Sequence, residues 1–460
     1  MRSNIMAFYP PKPKKISRRR MLKQSALSIG AFTIVPRSVL GGPNQTPPSE
    51  KLNIACIGVG GKGYSDAQSV SSQNIVALCD VDDNYAAKTY NQFPHAKRYR
   101  DYRVMLEKEK NIDAVVVATP DHTHALISLT AMRLGKHVYC QKPLTHTVEE
   151  AYRMSRTADQ MKVATQMGNQ GQADEGPRRI QEMIADGAIG AVQEVHVWTD
   201  RPMNGLFDTY WPQGIERPAE AADIPAGLDW DLWLGPAPHR PYHPCYHPFR
   251  WRGWWDFGTG ALGDIGCHAL DCVFRALKLR YPLSVQASCT QVNRETYPVA
   301  SMVTYEFGAR EDMPPVTVTW YDGGLKPPRP EELEPGRQLG IGGCLYIGQK
   351  GKILDGRIIP ESKMQEYTPP PKTLPRSIGH YEEWIAACKG GTPAGSNFGF
   401  AGLLTEVVLL GNIALRMELR ESLCRQKLLW DAEKREFTNL PQANAFLKKT
   451  YRDGFSIDSL

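Results

Sequence analysis

The sequence predicts an α/β region followed by an α+β region: a doubly wound parallel sheet near the N-terminus, then a domain built on a large, mostly antiparallel sheet covered by helices. Three observations carry this. From Leu52 onward, apolar runs without alternation recur at helix-length intervals, as a parallel sheet covered on both faces requires. The first run closes on a glycine-rich turn. Beyond residue 190, strand-length segments sit between turn signals, and helical patterns return only near the C-terminus. At 460 residues the chain is too long for one ordinary core. The expected division is a leader at 1–43, a nucleotide-binding domain at 50–170 and a second domain at 171–460.

The leader stands apart in charge. Residues 1–49 hold nine Lys or Arg and no acid, so the net charge of +6 originates there and the remainder is slightly acidic. A basic nucleic-acid surface is therefore excluded. "SRRRMLK" at 17–23, the mildly apolar "QSALSIGAFTIV" at 24–35 and a small-residue stretch ending near Gly42 resemble a twin-arginine export signal. That run is too short to span a bilayer, and no other run approaches transmembrane length. The resemblance implies passage through the twin-arginine machinery and a periplasmic location. Ten cysteines include no Cys-x-x-Cys pair, and Cys56, Cys79 and Cys140 lie inside apolar runs, as small buried hydrophobes do. A bridge between a late pair stays open.

The parallel-sheet runs are "NIACIG" (53–58), "NIVALCD" (74–80), "IDAVVVATP" (112–120), "KHVYCQKP" (136–143) and "KVATQMGN" (162–169). The first leads into "GVGGKG", so Gly58, Gly60 and Gly63 fit G-x-G-x-x-G between strand and helix, with Gly61 and Lys62 in the same turn. Such a turn lets backbone approach a pyrophosphate at a helix N-terminus, the signature of a Rossmann dinucleotide site. Asp80 ends the second run, placed to accept ribose hydroxyl hydrogen bonds and to repel a 2′-phosphate, so NAD is expected over NADP. "ATPDHTHA" (118–125) leaves the fourth strand where Thr119 and Pro120 would pass the cofactor and His122 or His124 would face the crevice. Gln141 and Lys142 follow the fifth strand, and Asn169, at the end of the 162–169 run, is a further cofactor-binding candidate. Lys142 is framed by Pro143 and by a helix start in which Thr147 and Glu150 form a capping box, with Ala151, Met154, Ala158 and Met161 as the buried stripe.

In the second domain, "VQEVHVWTD" (192–200) reads as a strand. Residues 201–258 are loop-like but rich in Trp and Phe, including Phe207, which argues against disorder. Aromatic faces suit sugar rings, a core or an oligomer interface alike; Trp198, Trp254 and Trp255 are the candidates for substrate contact. His239, His243 and His247 are interrupted by prolines and lack an acidic partner, so no metal site is expected. In "GTGALGDIGCHALDCVFRAL" (258–277), a helix from about Leu262 puts Asp264, His268, Asp271 and Arg275 on one face and Leu262, Ile265, Ala269, Cys272 and Ala276 on the other. A carboxylate and an imidazole one turn apart suit proton transfer. "YPLSVQASC", "ASMVTYEFG", "VTVTWYDG" and "CLYIGQKGKILDG" read as strands, and helices return at about 379–389 and 400–420.

The ordered combination of G-x-G-x-x-G, an acid after the second strand, Lys-Pro after the fifth and Asp-x-x-x-His opening a later helix resembles the glucose-fructose oxidoreductase, inositol dehydrogenase and MocA-like (Gfo/Idh/MocA) family over about residues 50–450. The resemblance implies an active site of Lys142, Asp264 and His268 over the nicotinamide. Its chemistry would be hydride transfer between NAD and a hydroxyl carbon of a sugar, glycoside or cyclitol. His268 would move the hydroxyl proton, Lys142 hold the oxygen and Asp264 orient substrate. It also implies a homo-oligomer. Two departures stand out: Gln141 replaces the family's glutamate before Lys-Pro, and the 201–258 segment is larger than in the simplest members. Export further implies that NAD stays tightly bound and is recycled. The alternatives are an NAD-dependent glycoside hydrolase or lyase working by transient oxidation and elimination, and a non-catalytic sugar-binding protein.

Overall fold

The computed structural model describes residues 50–205, 208–419 and 425–458; the expected leader at 1–43 and Phe207 lie outside them. Leu52–Leu460 is one compact unit. It holds two sheets.

The first sheet contains β1 (Asn53–Ile57), β2 (Asn74–Cys79), β3 (Lys97–Tyr99), β4 (Ala114–Val117), β5 (His137–Cys140) and β6 (Thr165–Met167). Its order is β3-β2-β1-β4-β5-β6, and every pair is parallel. The order reverses between β1 and β4, which opens a crevice at their carboxyl ends. Helices α1 (Lys62–Ser69), α2 (Asp83–Gln92), α3 (Tyr102–Lys108), α4 (Asp121–Arg133) and α5 (Val148–Met161) connect the strands. Asp82 caps α2 by accepting from the Asn84 and Tyr85 amides. Thr147 and Glu150 form the capping box of α5. Ala151, Met154 and Ala158 are buried as the pattern requires, but Met161, in the last turn, is 40% exposed.

The second sheet contains β7 (Val192–Trp198), β8 (Ser284–Cys289), β9 (Ser301–Phe307), β10 (Val316–Tyr321), β11 (Gly343–Gly348), β12 (Lys352–Leu354), β13 (Arg357–Ile359), β14 (Leu428–Asp431) and β15 (Glu436–Phe437). Its order is β13-β12-β11-β7-β10-β9-β8-β14-β15, with β7 and β10 parallel and the other pairs antiparallel. The remaining helices are α6 (Glu175–Ala185), α7 (Trp230–Leu234), α8 (Gly260–Ala276), α9 (Glu361–Glu366), α10 (His380–Cys388) and α11 (Phe398–Met417).

Two expectations change here. By length and composition α11 is apolar enough to cross a membrane, but 83% of its apolar window is buried, against α5, α8, β8 and β9. It is apolar all round because protein surrounds it. The core stripe of α8 runs through Leu262, Gly266, Leu270 and Val273 with Cys267 and Phe274, whereas Ile265, Ala269 and Cys272 are half-buried. The expected face was rotated because α8 packs on both α6 and α11, so small residues such as Gly266 serve as contact points.

The long segment after β7 has a core of its own. Trp230 and Trp233 stack at 4.6 Å, and Tyr242, Tyr246, Trp254 and Phe257 close around them. Each fully buried large side chain contributes about 1.5–3 kcal/mol, which offsets the ordering cost of irregular backbone. The segment is sewn to the first sheet: the Asp229 amide donates to Val81 O at 2.8 Å, the Asp83 amide to Gly227 O at 3.2 Å, and Asn84 Nδ2 to Ala226 O at 2.6 Å.

Candidate active site

The crevice begins at the glycine-rich turn. Gly58 has φ +73°, and a Cβ there would lie 2.8 Å from the Ala118 carbonyl group. At Gly63 a Cβ would lie 1.8 Å from the Gly58 carbonyl oxygen, so α1 packs directly on the turn. Asp80 accepts from the Val59 amide at 2.7 Å, the Gly60 amide at 3.2 Å and the Asp82 amide at 3.0 Å. It thereby ties the end of β2 to the loop. Burial raises its pKa, against the opposing pull of those three amides. The ring of Tyr85 fills the space that a side chain at Gly60 would need.

A cavity of about 530 Å³ runs along this edge. It is lined by the glycine turn, Lys62, Asp80, Arg103, Thr119 and Pro120, and also by Gln141, Lys142, Asp264 and His268. The 201–258 segment supplies Arg201, Tyr210, Trp211, Trp233, Phe249 and Arg252. Glycines that leave no room for a Cβ, a carboxylate at the end of β2 and a cavity joining both to Lys142 fit a dinucleotide.

Lys142 Nζ donates to Asp264 Oδ1 and to Asp264 O, both at 2.6 Å. Arg252 Nε donates to the same Oδ1 at 3.0 Å. Burial would raise the Asp264 pKa, but Lys142 and Arg252 outweigh it and hold the carboxyl well below the usual range. His268, one turn along α8, lines the cavity and has no hydrogen-bond partner among the described residues. Burial, then the nearby Lys142 charge, lowers its pKa to about 3. The ring is neutral at physiological pH. Two cations around one anion leave a net positive charge beside it, which suits an oxygen becoming negative in a transition state. Asp121, at the start of α4, also lines the cavity; burial pushes it up to about 7, against a 2.6 Å hydrogen bond from Thr259 Oγ1.

Gln141 has a local cause. Its Nε2 donates to Asp66 Oδ2 at 2.7 Å, while Asp66 also accepts from Lys62 and Tyr381. A glutamate at 141 would set two buried carboxylates against each other. We expect Gln141→Glu to cost about 1–3 kcal/mol, with the loss in melting temperature larger at pH 8 than at pH 5, where the introduced glutamate takes a proton. Equal losses at both pH values would show that charge is not the cause.

Several expected site residues lie elsewhere. His122 is buried with Nδ1 3.3 Å from Phe257 O and Nε2 3.1 Å from Trp233 O, and His124 with Nδ1 2.9 Å from Pro143 O and Nε2 2.8 Å from Thr119 O. Neither lines the cavity: α4 turns both rings inward, where they join loops. Asn169 is buried and donates to Asp271 Oδ2 at 2.8 Å, also outside the cavity lining. Trp198 belongs to a cluster with Tyr321, Leu333 and Leu345, its Nε1 donating to Gly340 O. Trp254 sits in the core of the long segment, its Nε1 on Cys245 O. Trp255 packs on Tyr297 at 3.6 Å and borders a different cavity. From the 201–258 segment the aromatic walls that do reach the crevice are Tyr210, Trp211, Trp233, Phe249 and Trp251, joined by Tyr85, Tyr102 and Phe455 from elsewhere. Arg252 was missed because it reaches Asp264 from a 3₁₀ turn (Arg250–Gly253) twelve residues upstream, a spacing with no local periodicity. Contrary to the sequence expectation, His247 has an acidic partner, with Nε2 2.8 Å from Asp82 Oδ2, because the fold brings the long segment to the end of β2; among the described residues no His, Cys, Asp and Glu cluster is placed to hold a metal. The nine described cysteines are unbridged.

Residues 52–169 match the model for the oxidoreductase family, NAD-binding Rossmann fold, and residues 173–311 that for the oxidoreductase family, C-terminal alpha/beta domain, both of the GFO_IDH_MocA type. Inositol 2-dehydrogenase of Salmonella paratyphi B is 28% identical over 150 residues, 32% of this chain and 44% of the relative. Alpha-N-acetylgalactosaminidase of Shewanella oneidensis is 25% identical over 213 residues, 40% of this chain and 46% of the relative. The chain thus spans about half the length of the curated relatives it matches. Among solved structures, the WlbA dehydrogenase from Bordetella pertussis, in complex with NADH and UDP-GlcNAcA, superposes with TM-score 0.56 at 18% identity, covering 83% of this chain and 99% of that one, a likeness of fold.

Proposed function

Given that the chain belongs to the Gfo/Idh/MocA oxidoreductase family and carries its NAD-binding Rossmann domain, we propose that it transfers a hydride between a tightly bound NAD and a hydroxyl-bearing carbon of a sugar, glycoside or cyclitol. The observation that carries this is the unpartnered, neutral His268 beside the Lys142–Asp264–Arg252 group, on the same cavity as the glycine turn. The glycine turn and Asp80 would hold the dinucleotide, whose nicotinamide supplies a hydride acceptor or donor. His268 takes the hydroxyl proton as the carbon is oxidised and returns it on reduction. Lys142 steadies the oxygen by its charge, and Asp264 fixes Lys142 at that oxygen. Arg252 positions Asp264.

Tight binding is supported by the long segment, which forms part of the cavity wall and is bonded to Val81, Asp83 and Asn84 beside Asp80. A retained cofactor also suits the export that residues 17–35 suggest; periplasmic location and a homo-oligomer belong to the same proposal. The second reading is hydrolysis or elimination through transient oxidation, favoured by the likeness to a glycosidase at 25% identity.

The test is absorbance of the purified protein at 260 and 340 nm, before and after adding sugars and glycosides. Bound nucleotide with a lasting 340 nm rise supports net hydride transfer to NAD. Cleavage of a glycoside without a lasting rise supports the second reading. Ligand binding with neither signal would leave a non-catalytic sugar-binding protein.

A further inference from the structure

A second cavity, of about 300 Å³, lies behind the start of α8 and away from the residues assigned to hydride transfer. Its walls include Trp255, Tyr297, Asn412, Arg416, Phe446 and Lys448. Arg416, half-buried on α11, lies between two aromatic rings, with its guanidinium carbon 4.9 Å from the Trp255 centroid and 4.9 Å from that of Phe446. It forms no ion pair among the described residues, and its buried Nε has no hydrogen-bond acceptor. A guanidinium N–H removed from water without an acceptor, as Nε is here, is costly unless something else accepts from it.

The other charges at this cavity are accounted for. Lys449 pairs with Glu150 at 2.9 Å and donates to His122 O at 2.8 Å, and Asp256 pairs with the buried Arg240. Burial, then the Lys449 charge, keeps the neighbouring His146 ring well below its ordinary pKa, so it is neutral. Arg416 and the exposed Lys448 are left as uncompensated positive charges. Asn412 contributes a buried Oδ1 without a partner, while its Nδ2 holds Thr259 O at 2.9 Å.

We propose that this cavity binds a small organic anion: a carboxylate or phosphate ester on a ring that packs against the partly buried Phe446, with Arg416 gripping the anionic group and Lys448 at the mouth. Planar donors between aromatic faces favour a bidentate oxyanion. The site is independent of the hydride-transfer reading.

The test measures thermal unfolding and titration calorimetry of the full chain at fixed ionic strength, with glucuronate, glucose 6-phosphate, inorganic phosphate and neutral glucose as probes. One or both anionic sugars should raise the melting temperature saturably, glucose should not, and inorganic phosphate should act more weakly for want of a ring. Whichever anionic sugar binds tells carboxylate from phosphate ester. Arg416→Gln should weaken binding about tenfold or more. Lys448→Glu, at an exposed position that folding tolerates, should weaken it several-fold. Lys142→Met should leave it unchanged. Equal binding by Arg416→Gln and the parent, loss in Lys142→Met, or no saturable effect of any anion would overturn the proposal.

Discussion

His268→Gln is expected to lower kcat/KM by about 10²–10⁴-fold, the range for loss of a positioned general base, and at the same time to make the fold less sensitive to acid. The two effects have one origin. In the folded protein burial, with Lys142 nearby, holds the imidazole neutral down to about pH 3. An unfolded chain protonates it near 6.5. Between those values the unfolded state binds more protons, so the stability tied to a neutral His268 is complete above about pH 6.5 and is lost as pH falls toward 3. Glutamine has nothing to titrate, so the variant should lose less melting temperature than the parent between pH 7 and pH 5. Lys142→Met should raise the His268 pKa by removing a nearby cation, visible as a shifted ring-proton titration by NMR whatever its rate. A variant with near-parental kcat/KM would end the base assignment. A low rate with unchanged acid sensitivity would mean that His268 is not held neutral in the fold.

The parallel sheet was legible because its rules are local. Apolar runs without alternation, a glycine turn and a capping box at Thr147 each announce one element within a few residues, and β1, β2, β4, β5 and β6 fall where they indicate. Lys142, Asp264 and His268 were found by motif order, and the fold brings them to one cavity. What stayed hidden depends on contacts far apart in sequence. Arg252 acts on Asp264 from an irregular turn, and Asp66, 75 residues before Gln141, explains why an amide stands there. The histidines of "PDHTHA" misled because polar residues at a helix start equally serve to bind carbonyls of crossing loops, as His122 and His124 do. Tryptophan is similarly two-valued: Trp198 and Trp254 bury their faces and satisfy their indole N–H on backbone carbonyls. No pattern within 201–258 separates Trp254 from Trp211 or Phe249, which line the crevice.

Gly63→Ala should remove both nucleotide and stability, whereas Gly60→Ala should remove nucleotide with a much smaller change in melting temperature. The difference follows from what each new methyl meets. At Gly63 it would lie 1.8 Å from the Gly58 carbonyl oxygen and 3.4 Å from Ala118 Cβ, so backbone must move: either α1 lifts from the sheet or the turn changes shape. Overpacking of this kind costs about 1–3 kcal/mol or more, and about 1 °C in melting temperature per kcal/mol for a chain of this length. At Gly60 the methyl would meet the ring of Tyr85, which is 37% exposed and can rotate away, but the methyl then stands where the pyrophosphate must approach the turn. Gly135→Ala is the control, because it too has a left-handed φ of +73° yet nothing lies within 4 Å of the new methyl. It should cost only the backbone strain of about 1–2 kcal/mol and leave the 260 nm nucleotide signal intact. If Gly63→Ala kept its nucleotide and melted with the parent, the helix would not depend on that contact. If Gly60→Ala kept its nucleotide, the dinucleotide would not cross the turn at all.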